Sequence, residues 1–148
     1  DGAIACDVIA GVAVGGVPHS AALGYVARIP SLFIRKEAKE HGLGKRVEGG
    51  AVEGKRVVLV EDMVTTGGSS LSAVAALREE GAIVSDMLAI ISYDFREAQA
   101  AMYGAKITLH TLTSVPVVLE EARAQGILND ETFARVQAWY RDPYGWGT

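Results

Sequence analysis

The chain has 148 residues, a formal net charge of −4 and 49% hydrophobic residues, enough to bury one substantial core and short for two. No stretch approaches the roughly 20 uninterrupted apolar residues that a membrane-spanning helix needs, and the negative charge argues against a general nucleic-acid binder. We therefore expect a soluble protein with neither a membrane nor a nucleic-acid partner. Cys6 is the only cysteine, which excludes an internal disulfide and any multi-cysteine metal site and fits a reducing cytoplasm. The sequence opens without Met, a few residues before its first strand, and a further N-terminal piece is expected ahead of it.

Val- and Ile-rich segments bounded by turn residues alternate with Ala-rich segments of helical period. This is the pattern of an α/β domain with a mostly parallel central sheet flanked by helices. A strand is predicted over 6–12, with Cys6 as a small core residue. The chain then turns through Gly15 and Gly16 into a helix over 18–28, with Pro18 in its first turn, and a short strand over 31–35 follows. Residues 36–54 are charged and hold glycines at 42, 44, 49, 50 and 54; they read as a mobile loop too polar to be buried. Strand 56–60 carries Val57, Val58, Leu59 and Val60 in succession, as expected of a central strand covered on both faces. It feeds residues 61–68, after which Ser69 or Ser70 is placed to cap a helix with the apolar face Leu71, Val74, Ala75 and Leu77, ending at Gly81. Strands over 83–92 and 106–112 are separated by a helix near 96–103. Helices near 115–125 and 130–140 and an aromatic tail with Trp146 complete a single domain over 1–148.

The chemistry concentrates in Val58-Leu59-Val60-Glu61-Asp62-Met63-Val64-Thr65-Thr66-Gly67-Gly68-Ser69-Ser70, where an apolar strand ends in two carboxylates and passes into a hydroxyl and glycine loop that opens a helix. Glycines let backbone N–H groups turn inward around a phosphate, Thr and Ser hydroxyls donate further hydrogen bonds, and the helix N-terminus favours negative charge. The Gly-Lys-Ser/Thr ending of a nucleotide P-loop is missing, so the cradle suits a monoester phosphate. Glu61 and Asp62 fall at the carboxyl end of the strand, where open α/β sheets bind ligands, and can accept hydrogen bonds from vicinal ribose hydroxyls. A second signal is local charge: between residues 35 and 48 five Lys/Arg face three Asp/Glu, a basic island that points to an anionic ligand. Arg35, Lys36 and Lys39 can stabilise charge developing on a departing diphosphate, while the glycine-rich flanks let such a loop open for entry and close against water.

The stretch 58–70 resembles the ribose-pyrophosphate-binding signature of the type I phosphoribosyltransferases, whose donor is 5-phosphoribosyl 1-diphosphate (PRPP). Within that family, Arg35-Lys36-Glu37-Ala38-Lys39-Glu40-His41-Gly42 resembles the catalytic loop of the orotate-using members, and Glu48-Gly49 fits the same group. Residues 9–18 look like the family's pyrophosphate-contact loop, and Gln137-Ala138-Trp139 lies where its C-terminal helix stands. Some members place a lysine in the pyrophosphate loop; here it reads Val14-Gly15-Gly16, so backbone amides would bind the diphosphate.

The resemblance implies a type I phosphoribosyltransferase fold and transfer of the phosphoribosyl group from PRPP to orotate, giving orotidine 5′-phosphate and diphosphate for pyrimidine synthesis in the cytoplasm. It assigns Lys36, Lys39 and His41 to catalysis. PRPP contacts fall to Arg35, Lys39, His41, Glu61, Asp62, Met63, Val64, Thr65, Thr66, Gly67, Gly68 and Ser69, with Thr65 also touching orotate. It further implies Mg²⁺ between the diphosphate and the ribose hydroxyls, and a homodimer in which loop 36–54 reaches into the partner's site. Two alternatives keep residues 61–69: a purine or xanthine phosphoribosyltransferase, and a non-catalytic regulator that senses PRPP. A sensor has no need of the cationic loop. Elsewhere, His19, His41 and His110 lack metal-ligand spacing, no Gly-x-Ser-x-Gly surrounds the serines, and Trp139 and Tyr140 fall at helical spacing with Phe133 and Val136, as packing residues do.

Overall fold

Two strands buried on both faces form the middle of the molecule, β1 (Val8–Val12) and β4 (Arg56–Val64). The computed structural model describes residues 4–37 and 45–146. Along them, α1 (Gly16–Ala27), β2 (Ser31–Ile34) and β3 (Val47–Glu48) lie between those two strands, and α2 (Gly68–Glu79), β5 (Ile83–Ser92), α3 (Arg96–Gly104), β6 (Thr108–Ser114), α4 (Val115–Ala124) and α5 (Asp130–Arg141) follow. One six-stranded sheet has the order β3-β2-β1-β4-β5-β6. Every pairing is parallel except the short β3 against β2.

The order records how the chain was wound. From β1 it moves outward on one side through β2 to the edge strand β3, then returns to β4 beside β1 and moves outward on the other side through β5 and β6. The boundary between β1 and β4 is therefore the point at which the winding reverses. In an open α/β sheet a crevice forms there, outside the carboxyl ends of the strands.

On one face Val57, Leu59 and Val64 of β4, with Met87 and Ala89 of β5, pack under Ala73, Val74 and Leu77 of α2 and Met102 of α3. Ala73 takes the place predicted for Ala75, which is exposed, because the turn of α2 that faces the sheet runs through 70, 73, 74 and 77. On the other face α1 lies against β1, β2 and β4 with a small-residue stripe, Gly16, Ser20 and Gly24, turned inward. A Cβ on Gly16 would stand 2.3 Å from the carbonyl oxygen of Val60. That contact is what lets the helix start so close to the central strand.

Three further sequence expectations are corrected. β4 does not end at Val60 but runs through both acids to Val64, because its backbone stays in register with β5 as far as Val64 opposite Ser92. Residues 36–54 are not wholly a polar loop: Val47 pairs with Ile34 in the antiparallel edge, and Val52 is 1% exposed inside the core. An apolar side chain in a charged stretch still finds the nearest uncovered core surface. Finally, neither serine caps α2. Its N-cap is Gly67, and Ser70 lies within the first turn of the helix.

Candidate active site

Because β1 and β4 are neighbours, the turn after β1 and the segment after Val60 meet at the same end of the sheet. Gly15 lies directly against Asp62: a Cβ built on Gly15 would fall 2.0 Å from the Asp62 Oδ2 atom. The backbone at Gly15, with φ −64°, is one that any residue can adopt, so the glycine is there for space rather than for conformation. Val14 is exposed beside it. The predicted diphosphate turn Val14-Gly15-Gly16 and the second of the two acids are thus brought together.

The two acids face opposite ways, as successive strand residues must. Asp62 is exposed, and its Oδ1 accepts the backbone N–H of Met63 at 2.8 Å. Glu61 is 4% exposed and accepts a hydrogen bond from the hydroxyl of Ser70 at 2.9 Å. Burial pushes the Glu61 carboxyl above its ordinary range. The Ser70 hydrogen bond pulls it back, the Asp62 charge adds to the push, and the Lys36 charge opposes it. They are therefore not a side-by-side pair: one acid faces the solvent-lined turn, and the other is enclosed under α2.

Beyond the acids, Met63 is exposed, whereas Val64 is buried in the core and its carbonyl accepts the N–H of Tyr93 at 2.8 Å. The Val64 side chain is thereby removed from the list of ligand contacts. Thr65, Thr66, Gly68 and Ser69 are exposed around the start of α2. Gly67 turns the chain with φ +82°, in the left-handed region that favours glycine, and a Cβ there would also press on Met102 at 2.9 Å. The first-turn amides of Gly68, Ser69 and Ser70 belong to the set that has no acceptor within its own helix, and they are the natural seat for an anion.

Of the cationic segment, Arg35 stands at the end of β2. Its Nε donates to Glu48 Oε1 at 3.1 Å, its guanidinium lies over the Phe33 ring, and its backbone N–H donates to the Arg46 carbonyl. Lys36 is near enough to lower the Glu61 carboxyl through its charge. Lys39 and His41 lie outside the described residues.

Ser70 is the residue that sequence reasoning missed. The sequence offers it as a helix cap, and only the juxtaposition of β4 with the first turn of α2 reveals its partner. Trp139 and Tyr140 join Tyr93 and Phe95 in an aromatic cluster, with the Tyr140 hydroxyl donating to the Tyr93 carbonyl. They pack the end of β5 against α5, as expected. Among the described residues no group of three or more His, Cys, Asp and Glu stands together to hold a metal ion, and no helix is long and apolar enough to cross a membrane.

The model of the phosphoribosyl transferase domain matches residues 3–97, which hold the turn after β1, the cationic segment, the acids and the cradle. Orotate phosphoribosyltransferase of Bacteroides fragilis is 41% identical over 142 residues, spanning 96% of this chain and 67% of its own length. The chain thus spans about two thirds of that relative. Among solved structures, orotate phosphoribosyltransferase from Aeropyrum pernix superposes with a TM-score of 0.71 at 31% identity, over 78% of this chain and 64% of that one. Leishmania donovani UMP synthase superposes with a TM-score of 0.80 at 25% identity, over 93% of this chain and 29% of that one. The chain belongs to the phosphoribosyltransferase family and, within it, to the orotate phosphoribosyltransferases.

Proposed function

We propose that this chain transfers the 5-phosphoribosyl group of PRPP to orotate, giving orotidine 5′-phosphate and diphosphate, a step of pyrimidine nucleotide synthesis. The observation that carries the reading is the convergence at the β1/β4 reversal of an open glycine turn, an exposed acid against it and a glycine-started helix. These three parts match the three parts of the donor. The amides at Gly68 and Ser69, with the hydroxyls of Thr65, Thr66 and Ser69, receive the 5-phosphate at the helix N-terminus. Asp62 accepts hydrogen bonds from the ribose hydroxyls. The amides of Val14, Gly15 and Gly16 take the diphosphate, and Thr65, within the cradle, faces the space between the 5-phosphate loop and the base.

Catalysis in this reading is electrostatic. As the bond from the anomeric carbon to diphosphate breaks, negative charge grows on the leaving group, and Lys36, Lys39 and His41 stabilise it more than they stabilise the bound donor. Arg35, held between Glu48 and the Phe33 ring, anchors the base of that segment. Mg²⁺ would be held through the bound donor rather than by a dedicated protein cage, in keeping with its preference for oxygen ligands and substrate phosphates. When bound, it neutralises charge on the diphosphate. The working unit is a homodimer whose cationic segments cross into the partner's site, in the cytoplasm.

The test is a calorimetric titration of PRPP with Mg²⁺, followed by diphosphate release with orotate, adenine, hypoxanthine and xanthine. Binding in the wild type, its loss in a folded Asp62→Asn variant, and release with orotate alone support the reading. Release with a purine alone would transfer the chain to the purine enzymes, and binding with no release for any base would leave a PRPP sensor.

A further inference from the structure

The cradle runs from Asp62 to Ser69, and the two residues that bracket it, Glu61 and Ser70, are hydrogen-bonded to one another. The Ser70 hydroxyl donates to Glu61 Oε1 at 2.9 Å, with Ser70 1% and Glu61 4% exposed. A carboxylate enclosed in this way is costly unless it is hydrogen-bonded, and a hydroxyl inside a helix turn more often bonds its own backbone. Here each supplies what the other needs.

We infer that Ser70 is a positioning residue for PRPP: its hydrogen bond to Glu61 clasps the two ends of the cradle, fixing the first turn of α2 against the end of β4. The inference rests on the assignment of the cradle to PRPP. Ser70 itself need touch no substrate. Its side chain is buried against Glu61, whereas Thr65, Thr66, Gly68 and Ser69 are exposed. Loss of the hydroxyl leaves the helix in place, because Ala73, Val74 and Leu77 still pack on the sheet. It leaves Glu61 without its donor, so the carboxyl takes up a proton at a higher pH than in the wild type. The other charged or titratable groups near Glu61 are Asp62 on its own strand, Lys36 from the segment after β2, and His19 of α1 and His110 of β6, which line the groove that reaches it.

The experiment measures PRPP binding by calorimetry and steady-state constants for PRPP and orotate in the wild type, Ser70→Ala, Glu61→Ala and the double variant, across pH. Ser70→Ala is expected to raise the PRPP dissociation constant and KM about tenfold, the effect of one hydrogen bond to a charged group. The KM for orotate should stay within twofold. The pH below which PRPP binding weakens should move upward, and in the Glu61→Ala background, which offers the hydroxyl no acceptor, Ser70→Ala should add less than twofold. A PRPP dissociation constant unchanged in Ser70→Ala, or effects of Ser70→Ala and Glu61→Ala that multiply independently, would overturn the clasp while leaving the functional reading intact. A wild type that binds no PRPP overturns that reading and the clasp with it. If Ser70→Ala does not fold, Ser70→Cys takes its place. It has a similar volume and a weaker donor, and the same pattern at smaller amplitude is expected; an unmoved dissociation constant again refutes the clasp.

Discussion

Gly15 and Gly16 are adjacent, yet the structure predicts that alanine at each fails in a different way. At Gly16 the new Cβ would stand 2.3 Å from the Val60 carbonyl oxygen and 3.3 Å from the Glu61 Cα. Both are backbone atoms of the central strand and have nowhere to go. Relief requires α1 to move off β4, an overpacking cost of about 2 kcal/mol, which in a domain of this size lowers Tm by about 4–8 °C. At Gly15 the three atoms nearest the new Cβ all belong to the Asp62 carboxylate, with Oδ2 at 2.0 Å and Cγ at 2.3 Å. That group is the far end of an exposed side chain and can rotate away, so the stability cost stays within about 0.5 kcal/mol. The rotation nevertheless removes the acid assigned to the ribose hydroxyls, so PRPP binding should weaken about tenfold or more, the range of a hydrogen bond to a charged group. Thermal scans and calorimetric titration of the two variants side by side decide the matter. A Gly15→Ala protein as destabilised as Gly16→Ala, or one that binds PRPP like the wild type, would refute the reasoning.

Two further predictions follow from other parts of the molecule. Burial raises the Glu61 carboxyl in the folded state, so the folded protein binds that proton more tightly than the unfolded chain, and stability is lost as pH rises from the ordinary glutamate range, about 4, through the folded value. Glu61→Gln removes this loss. It should match wild-type Tm below about pH 4 and exceed it at pH 7, and an equal difference at both pH values in thermal scans would contradict the assignment. If the cationic segment serves the partner's site, Lys39→Ala and Asp62→Asn proteins, each nearly inactive, should recover up to about a quarter of wild-type activity after subunit exchange, since half the dimers are mixed and each has one intact site of two. Confirmed exchange without recovery would place the segment in its own subunit's site.

The alternation of Val-rich and Ala-rich segments was enough to place every helix within a few residues, and the strand Ile83–Ser92 was located end to end. Its apolar run is long and its neighbours are turn residues. The end of β4 was misread for a physical reason: Glu61 and Asp62 interrupt the apolar run, but strand pairing is a backbone property, and β5 continues alongside regardless of side-chain polarity. Val47 and Val52 were hidden in the same way, as single apolar residues in a charged stretch whose burial depends on an edge of the sheet that local composition does not show. Glycines, hydroxyls and acids cluster in the motif, and the structure keeps Thr65, Thr66, Gly68 and Ser69 exposed together around the start of α2. The motif did not show that the acids point apart, that Val64 belongs to the core, or that Ser70 faces Glu61. The first follows only once β4 is seen to run through both acids, and the other two depend on how α2 lies on β4.

The most direct test of the account follows the absorbance of orotate on mixing with PRPP, Mg²⁺ and the protein. The account predicts a loss of orotate absorbance that requires PRPP, releases one diphosphate per orotate consumed, and is abolished in Asp62→Asn. Orotate absorbance that stays unchanged, in a wild-type protein that is folded and binds PRPP, would contradict it.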